Sequence, residues 1–251
     1  MKPVTIEQRF CGPPKSANGG YVGGLLAAHI DGDAEITLRA PPPLGQQLEI
    51  VTGEHGAELR QGETMLATGR KVDIALPDIP SVDFAEAEDA ARRSPRDQSH
   101  HPLPMCFGCG LARIDGDGLR INPGPLLPRA GRETGTLATP WVPHVNLTAA
   151  DGTVPLEFVW AALDCPAGFA GADARHLGMT GTEPMLLGRM SARIARRPRP
   201  RERCILVSWP TGRDGRKLFA NSALLEADGQ MLAVALTTWI VVDRQVMLGN
   251  R

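Results

Sequence analysis

Residues 18–30 read NGGYVGGLLAAHI, and this stretch decides how the rest of the chain is read. After Asn18 it is apolar almost all round: Val22, Leu25, Leu26, Ala27, Ala28 and Ile30 leave no polar face, the mark of a helix buried on every side. Small residues at Gly23, Gly24, Ala27 and Ala28 let other backbone approach closely. Such a helix requires a sheet that wraps it, and strands follow at once. Residues 34–51 form a strand, a corner at Pro41-Pro42-Pro43 and a second strand. In the first, Ile36, Leu38 and Ala40 share an apolar face while Glu35, Thr37 and Arg39 point outward. Residues 56–74 read as two more strands about a glycine turn. A curved antiparallel sheet around one central helix is an α+β architecture.

The second part of the chain repeats this plan. An apolar helix over 155–170 precedes a strand, a basic proline-bearing corner and a strand over 186–210, then two strands flanking a glycine turn over 216–243. Between the parts, residues 77–104 are rich in proline and mixed charge and poor in large apolar residues. They read as a linker that buries little surface, with a helical turn near AEAEDAARR. The expected organisation is 1–76, a linker 77–104, and 105–251, with duplication as the economical explanation.

Bulk composition narrows the class. Among 251 residues the formal net charge is −1, which gives no long-range attraction to nucleic acid or an anionic membrane. No apolar run reaches the ~18 residues of a membrane span, and residues 1–10 lack the basic start and apolar core of a signal peptide. Five cysteines without disulfide-type spacing suit a reducing compartment, so a cytoplasmic location is expected.

At these residues the chain resembles the hotdog superfamily, in particular its double-hotdog acyl-CoA thioesterases. Residues 18–26 are similar to that family's glycine-rich helix start. Arg39-Ala40-Pro41-Pro42-Pro43-Leu44 resembles the corner ending its first long strand, and Leu163-Asp164 the position of its helix aspartate. Cys106-Phe107-Gly108-Cys109-Gly110 followed by Gly118-Leu119-Arg120-Ile121 resembles the opening of many single-domain relatives. The resemblance implies two fused hotdogs, a coenzyme A thioester as substrate, no cofactor, and a monomer or a homodimer.

Thioester hydrolysis needs a polarised carbonyl and a carboxylate that acts as base or nucleophile. Asp164 is the best carboxylate, set in an apolar run; its alternative reading is a helix-ending cap before Pro166. The resemblance implies a partner hydroxyl at Thr182 (or Thr180) and places Thr237 where the family has a glutamine, a departure that weakens the water-holding triad. Glu157, seven residues earlier on the same helical face, is an alternative base or a first-turn acid on the helix dipole. Gly19 and Gly20 would offer N–H groups to the carbonyl, with Asn18 as cap or substrate contact. The arginines at 193, 196, 197, 199, 201 and 203 read as a solvated corner, or as phosphate contacts through Arg197 and Arg199. Cys106-x-x-Cys109 lacks the second pair of a strong zinc motif and reads as a tight turn, so no metal is expected.

Two other activities share these residues. An enoyl-CoA hydratase or dehydratase would need an Asp/His pair, for which His29, His144 and His176 are the candidates. A non-catalytic acyl-CoA binder would need no base, and the carboxylate-free first helix suits it.

Overall fold

The computed structural model describes residues 2–129, 132 and 134–249. The opening stretch forms helix α1 (Gly19–Ala27), with the Asn18 side chain accepting from the Tyr21 N–H as its N-cap. Strands β1 (Lys2–Thr5), β2 (Ala34–Leu38), β3 (Gln47–Gly53), β4 (Gly56–Gln61) and β5 (Thr64–Lys71) surround it. Further along come helix α2 (Phe84–Arg92), the short strand β6 (Gly124–Pro125), β7 (Leu137–Trp141) and helix α3 (Leu156–Ala172). Strands β8 (Met185–Ile194), β9 (Cys204–Asp214), β10 (Lys217–Glu226) and β11 (Met231–Val241) follow.

All eleven strands make one antiparallel sheet in the order β1-β3-β4-β5-β2-β8-β11-β10-β9-β7-β6. The order is palindromic about its middle: β1-β3-β4-β5-β2 on one side is matched by β7-β9-β10-β11-β8 on the other. The seam is the pairing of β2 with β8, Ala34 opposite Ala192 through Thr37 opposite Arg189.

Helices α1 and α3 lie together inside this sheet. Their close approach is made by glycine. A Cβ on Gly20 would sit 2.6 Å from the Trp160 carbonyl oxygen, and one on Gly24 would sit 2.2 Å from the Glu157 Cα. The sequence singled out Gly23 and Gly24 as places of close approach; Gly24 meets the backbone of α3 and Gly23 the ring of Trp160 on the same helix. Val22, Leu26, Trp160 and Leu163 are fully or almost fully buried between the helices and the strands.

Three local expectations change. Residues 77–104 bury more than a linker would, because α2 docks Phe84, Ala87 and Ala90 against Ala138, Ile205, Val207 and Trp209. Strand β9 is therefore covered on both faces, with Cys204 and Leu206 turned to the main core and the odd-numbered residues turned to α2. Asp83 and Glu86 form a reciprocal capping box at the start of α2. Helix α3, expected over 155–170, carries Pro166 inside it, against the alternative of a helix-ending cap there, and runs to Ala172. The Ser222 hydroxyl donates to the Leu163 carbonyl at 2.6 Å in the turn where the proline removes an N–H. Strand β7 has no counterpart in the sequence reading: Leu137–Trp141 is five residues long and interrupted by Pro140.

Candidate active site

The second half of α3, the start of α1, the 95–109 segment and residues 180–188 enclose a cavity of about 1000 Å³. Asp164 stands in its wall and is only 2% exposed. One carboxylate oxygen, Oδ2, accepts from the backbone N–H of Gly20 at 2.9 Å and from Asn18 Nδ2 at 3.0 Å. The other, Oδ1, is buried without a protein partner among the described residues. Burial raises the carboxyl pKa, and so does the nearby Cys106. The Gly20 N–H and Asn18 amide oppose them, and the balance is pushed up to about 7. The carboxylate thus sits on the N-terminus of α1, where unpaired N–H groups and the helix dipole favour negative charge.

This geometry reassigns two residues. The Gly20 N–H, expected to polarise a substrate carbonyl, is committed to Asp164. Asn18 is both the N-cap of α1 and a second hand on the same oxygen, because its Oδ1 accepts from Tyr21 while its Nδ2 donates across to α3. Gly19 lines the cavity beside them, packed against Leu38 and Leu187.

The remaining expectations divide. Thr182 lines the same cavity as Asp164, and its hydroxyl pairs with that of Thr180 at 2.9 Å. The Glu183 carboxylate gathers the backbone N–H groups of Thr180, Gly181 and Thr182 and fixes that loop. Thr237 is a correction: it is absent from the cavity wall, and its hydroxyl donates to the Ala220 carbonyl at 2.7 Å and accepts from Trp239 Nε1 at 3.1 Å. Its one donor and one of its acceptor lone pairs are spent on structure. Thr237→Val is therefore expected to cost about 1–2 kcal/mol of stability, by stranding the indole N–H, with little change in turnover. A urea melt read beside an activity assay would check both halves of that statement.

Glu157 is a correction of the same kind. It lies in the first turn of α3 with its backbone against Gly24, off the cavity wall, as an acid on the helix dipole. The arginine corner also resolves into structure. Arg193 pairs with Asp33 and Asp73, Arg196 with Glu202 and Glu226, and Arg197 with Asp151. Arg203 covers the Phe84 ring at 3.9 Å, and the Arg199 N–H donates to Glu202. Neither Arg197 nor Arg199 lines the cavity. The sequence run looked like a cationic patch because its acidic partners come from distant segments. His29, His144 and His176 likewise lie off the cavity wall, whereas His100 and His101 are on it.

One feature of the cavity had no counterpart in the sequence reading. Cys106 and Cys109 are joined by Cys165 from α3, and the three sulfurs lie within 4.8 Å of one another. Cys106 and Cys165 are 3.7 Å apart, and all three thiols are free and buried. Cys106 is the acidic member. The thiols of Cys109 and Cys165, and then the N–H groups of Cys109 and Gly108, donate to its sulfur and hold its pKa well below the ordinary thiol value. Giving up those hydrogen bonds pushes Cys109 and Cys165 up. A separation of 56 residues hides Cys165 from any spacing rule.

The fold is shared with proteins of known structure. The chain superposes on the acyl-CoA thioesterase II TesB2 from Mycobacterium marinum with a TM-score of 0.60 at 11% identity. It matches the tesB protein of Mycobacterium avium subsp. paratuberculosis with a TM-score of 0.58 at 12% identity. A hot dog fold protein of unknown function from Alicyclobacillus acidocaldarius gives 0.56 at 12%. Each alignment covers 96% of this chain and 92% of the other. The resemblance read from the sequence is thus borne out: these neighbours are TesB-type and hotdog-fold proteins, and at such identities the likeness is one of fold. No family model matches the sequence. No curated protein matches it either. Among the described residues no helix is long and apolar enough to cross a membrane.

Proposed function

We propose that this chain hydrolyses acyl-CoA thioesters in the cavity, with Asp164 as the general base. The observation that carries this reading is the placement of Asp164: a buried carboxylate in a cavity wall, one oxygen anchored by Gly20 and Asn18 and the other unpartnered. Oδ1 takes a proton from a water, whose oxygen attacks the thioester carbonyl carbon. The C–S bond breaks, and coenzyme A leaves as the thiolate and takes the proton held by Asp164, which restores the carboxylate. Gly19 brings the positive end of α1 to the carbonyl. Thr182 is a hydroxyl on the same cavity wall that can hold the water.

The fold reading that accompanies it is a pair of fused hotdogs, 1–76 around α1 and 105–251 around α3, joined through 77–104. The palindromic strand order supports it, as does the apposition of two central helices. Because both hotdogs come from one chain, the site needs no second copy. The chemistry is asymmetric, since α3 supplies the carboxylate and α1 supplies the helix terminus that holds it. Reduced, buried thiols fit a cytoplasmic location.

A panel of acyl-CoA esters of graded chain length, assayed by release of free thiol, tests the reading. Turnover of at least one ester at a rate lost in Asp164→Asn supports it. Saturable binding without thiol release would replace it with the non-catalytic binder.

A further inference from the structure

We propose that Cys106, Cys109 and Cys165 form a metal site for a thiophilic divalent ion of the zinc class, set in the wall of the same cavity. The argument is geometric. Three sulfurs within 4.8 Å of one another present a ready face to a single ion, since zinc binds thiolates at about 2.3 Å in tetrahedral arrangement. Sulfur donors select zinc-like ions over magnesium or calcium, which take oxygen.

The local backbone is shaped for this grouping. Gly108 and Gly110 keep the Cys106–Gly110 turn tight: the Gly110 N–H donates to the Cys106 carbonyl at 2.8 Å. A Cβ at Gly110 would sit 2.5 Å from that same oxygen. A Cβ at Gly108 would sit 2.9 Å from the Cys165 sulfur, so the turn is pressed onto α3 at the third cysteine.

A second observation points to a ligand at this place. Three buried polar atoms of the same cavity wall lack protein partners among the described residues: Arg96 Nε, His101 Nε2 and Asp164 Oδ1. His101 is 7% exposed, and its Nδ1 accepts from the Leu103 N–H, which leaves Nε2 to find its partner elsewhere. A three-thiolate ion has one coordination position left for a water or a ligand from the cavity. Binding is an exchange of protons for metal: each thiol loses its proton to solvent as its sulfur bonds the ion. The site departs from the sequence expectation, which weighed the Cys106-x-x-Cys109 pair with His100 and His101 as the only close further ligands.

Metal content and cobalt spectroscopy test this without reference to hydrolysis, so neither outcome bears on the thioesterase reading. The full chain, purified under reducing conditions, is expected to carry about one zinc per chain by elemental analysis. Stripped of metal and titrated with cobalt(II), it should develop the intense sulfur-to-cobalt charge-transfer absorption of a tetrahedral thiolate site, saturating near one equivalent. Cys165→Ser should weaken that absorption by roughly a third and lower zinc affinity at least ~10-fold. Cys204→Ala, which removes a buried sulfur outside the cluster, should leave both unchanged. The proposal is overturned if the reduced wild-type chain, its thiols verified free, shows no such band. It is equally overturned if Cys165→Ser keeps the full spectrum, or if Cys106 and Cys165 prove to be joined as a disulfide. Should Cys165→Ser fail to fold, the wild-type titration decides alone.

Discussion

Asp164→Asn is expected to lower kcat/KM on the preferred acyl-CoA ester by at least ~10²-fold, the usual worth of a positioned general base. The substitution suits the test because it removes the base and little else. Asparagine keeps a carbonyl oxygen where Oδ2 stands, so the Gly20 N–H and the Asn18 amide retain an acceptor. Thermal stability should therefore change little, or rise, since burying the carboxylate is itself costly at this position. The kinetic signature is a fall in kcat with KM nearly constant, because the interaction lost belongs to the transition state. A variant that turns over at the wild-type rate would remove Asp164 from the chemistry.

The second large effect falls on stability. Gly24→Val is expected to cost at least ~3 kcal/mol, at or beyond the upper end for overpacking. A Cβ at this position meets not a flexible side chain but the backbone of α3, 2.2 Å from the Glu157 Cα and 2.8 Å from its nitrogen. The helices must then separate, and the separation reaches the site, because the Gly20-to-Asp164 bond lies one turn away on the same helix face. Activity and urea midpoint should fall together. Gly53→Ala is the control: a Cβ there meets nothing within 4 Å, and the change should stay within about 0.5 kcal/mol. An unaltered midpoint for Gly24→Val would mean that the close approach of α1 and α3 is not what holds them.

The elements legible in the sequence were those whose signals are local. The apolar stretch at 18–30 announced a wrapped helix, and the alternation around Ile36 with the triple proline at 41–43 announced a strand and its corner. Strand β9 was legible as the strand that follows the basic corner within 186–210, and it proved to be covered on both faces. What was not legible depended on pairs distant in the chain. The arginines at 193–203 carried no sign of Asp33, Asp73, Asp151 or Glu226, so a set of ion pairs looked like a free cationic surface. Thr237 occupied a suggestive position, but its hydroxyl belongs to Ala220 and Trp239. Asp164 was recognised, yet its anchoring on Gly20 required the two helices to be seen together, and that contact spans 144 residues. Cys165 escaped for the same reason, although the helix that carries it was expected over 155–170.

The contact between α1 and α3 also sets an order of events in time. While the chain is being made, the glycine face of α1 emerges long before the residues of α3 that cover it. Strand β2 likewise waits for β8, its partner at the seam. Until the second helix arrives, the first has an open groove along Gly20, Gly23 and Gly24 and its N-terminal amide has no carboxylate to hold. Long-range pairings of this kind are slow to close, and partly made chains expose apolar surface meanwhile. The Asp164 carboxylate and its anchor therefore come together late in folding, and a chain interrupted before residue 164 lacks the group on which the proposed chemistry depends.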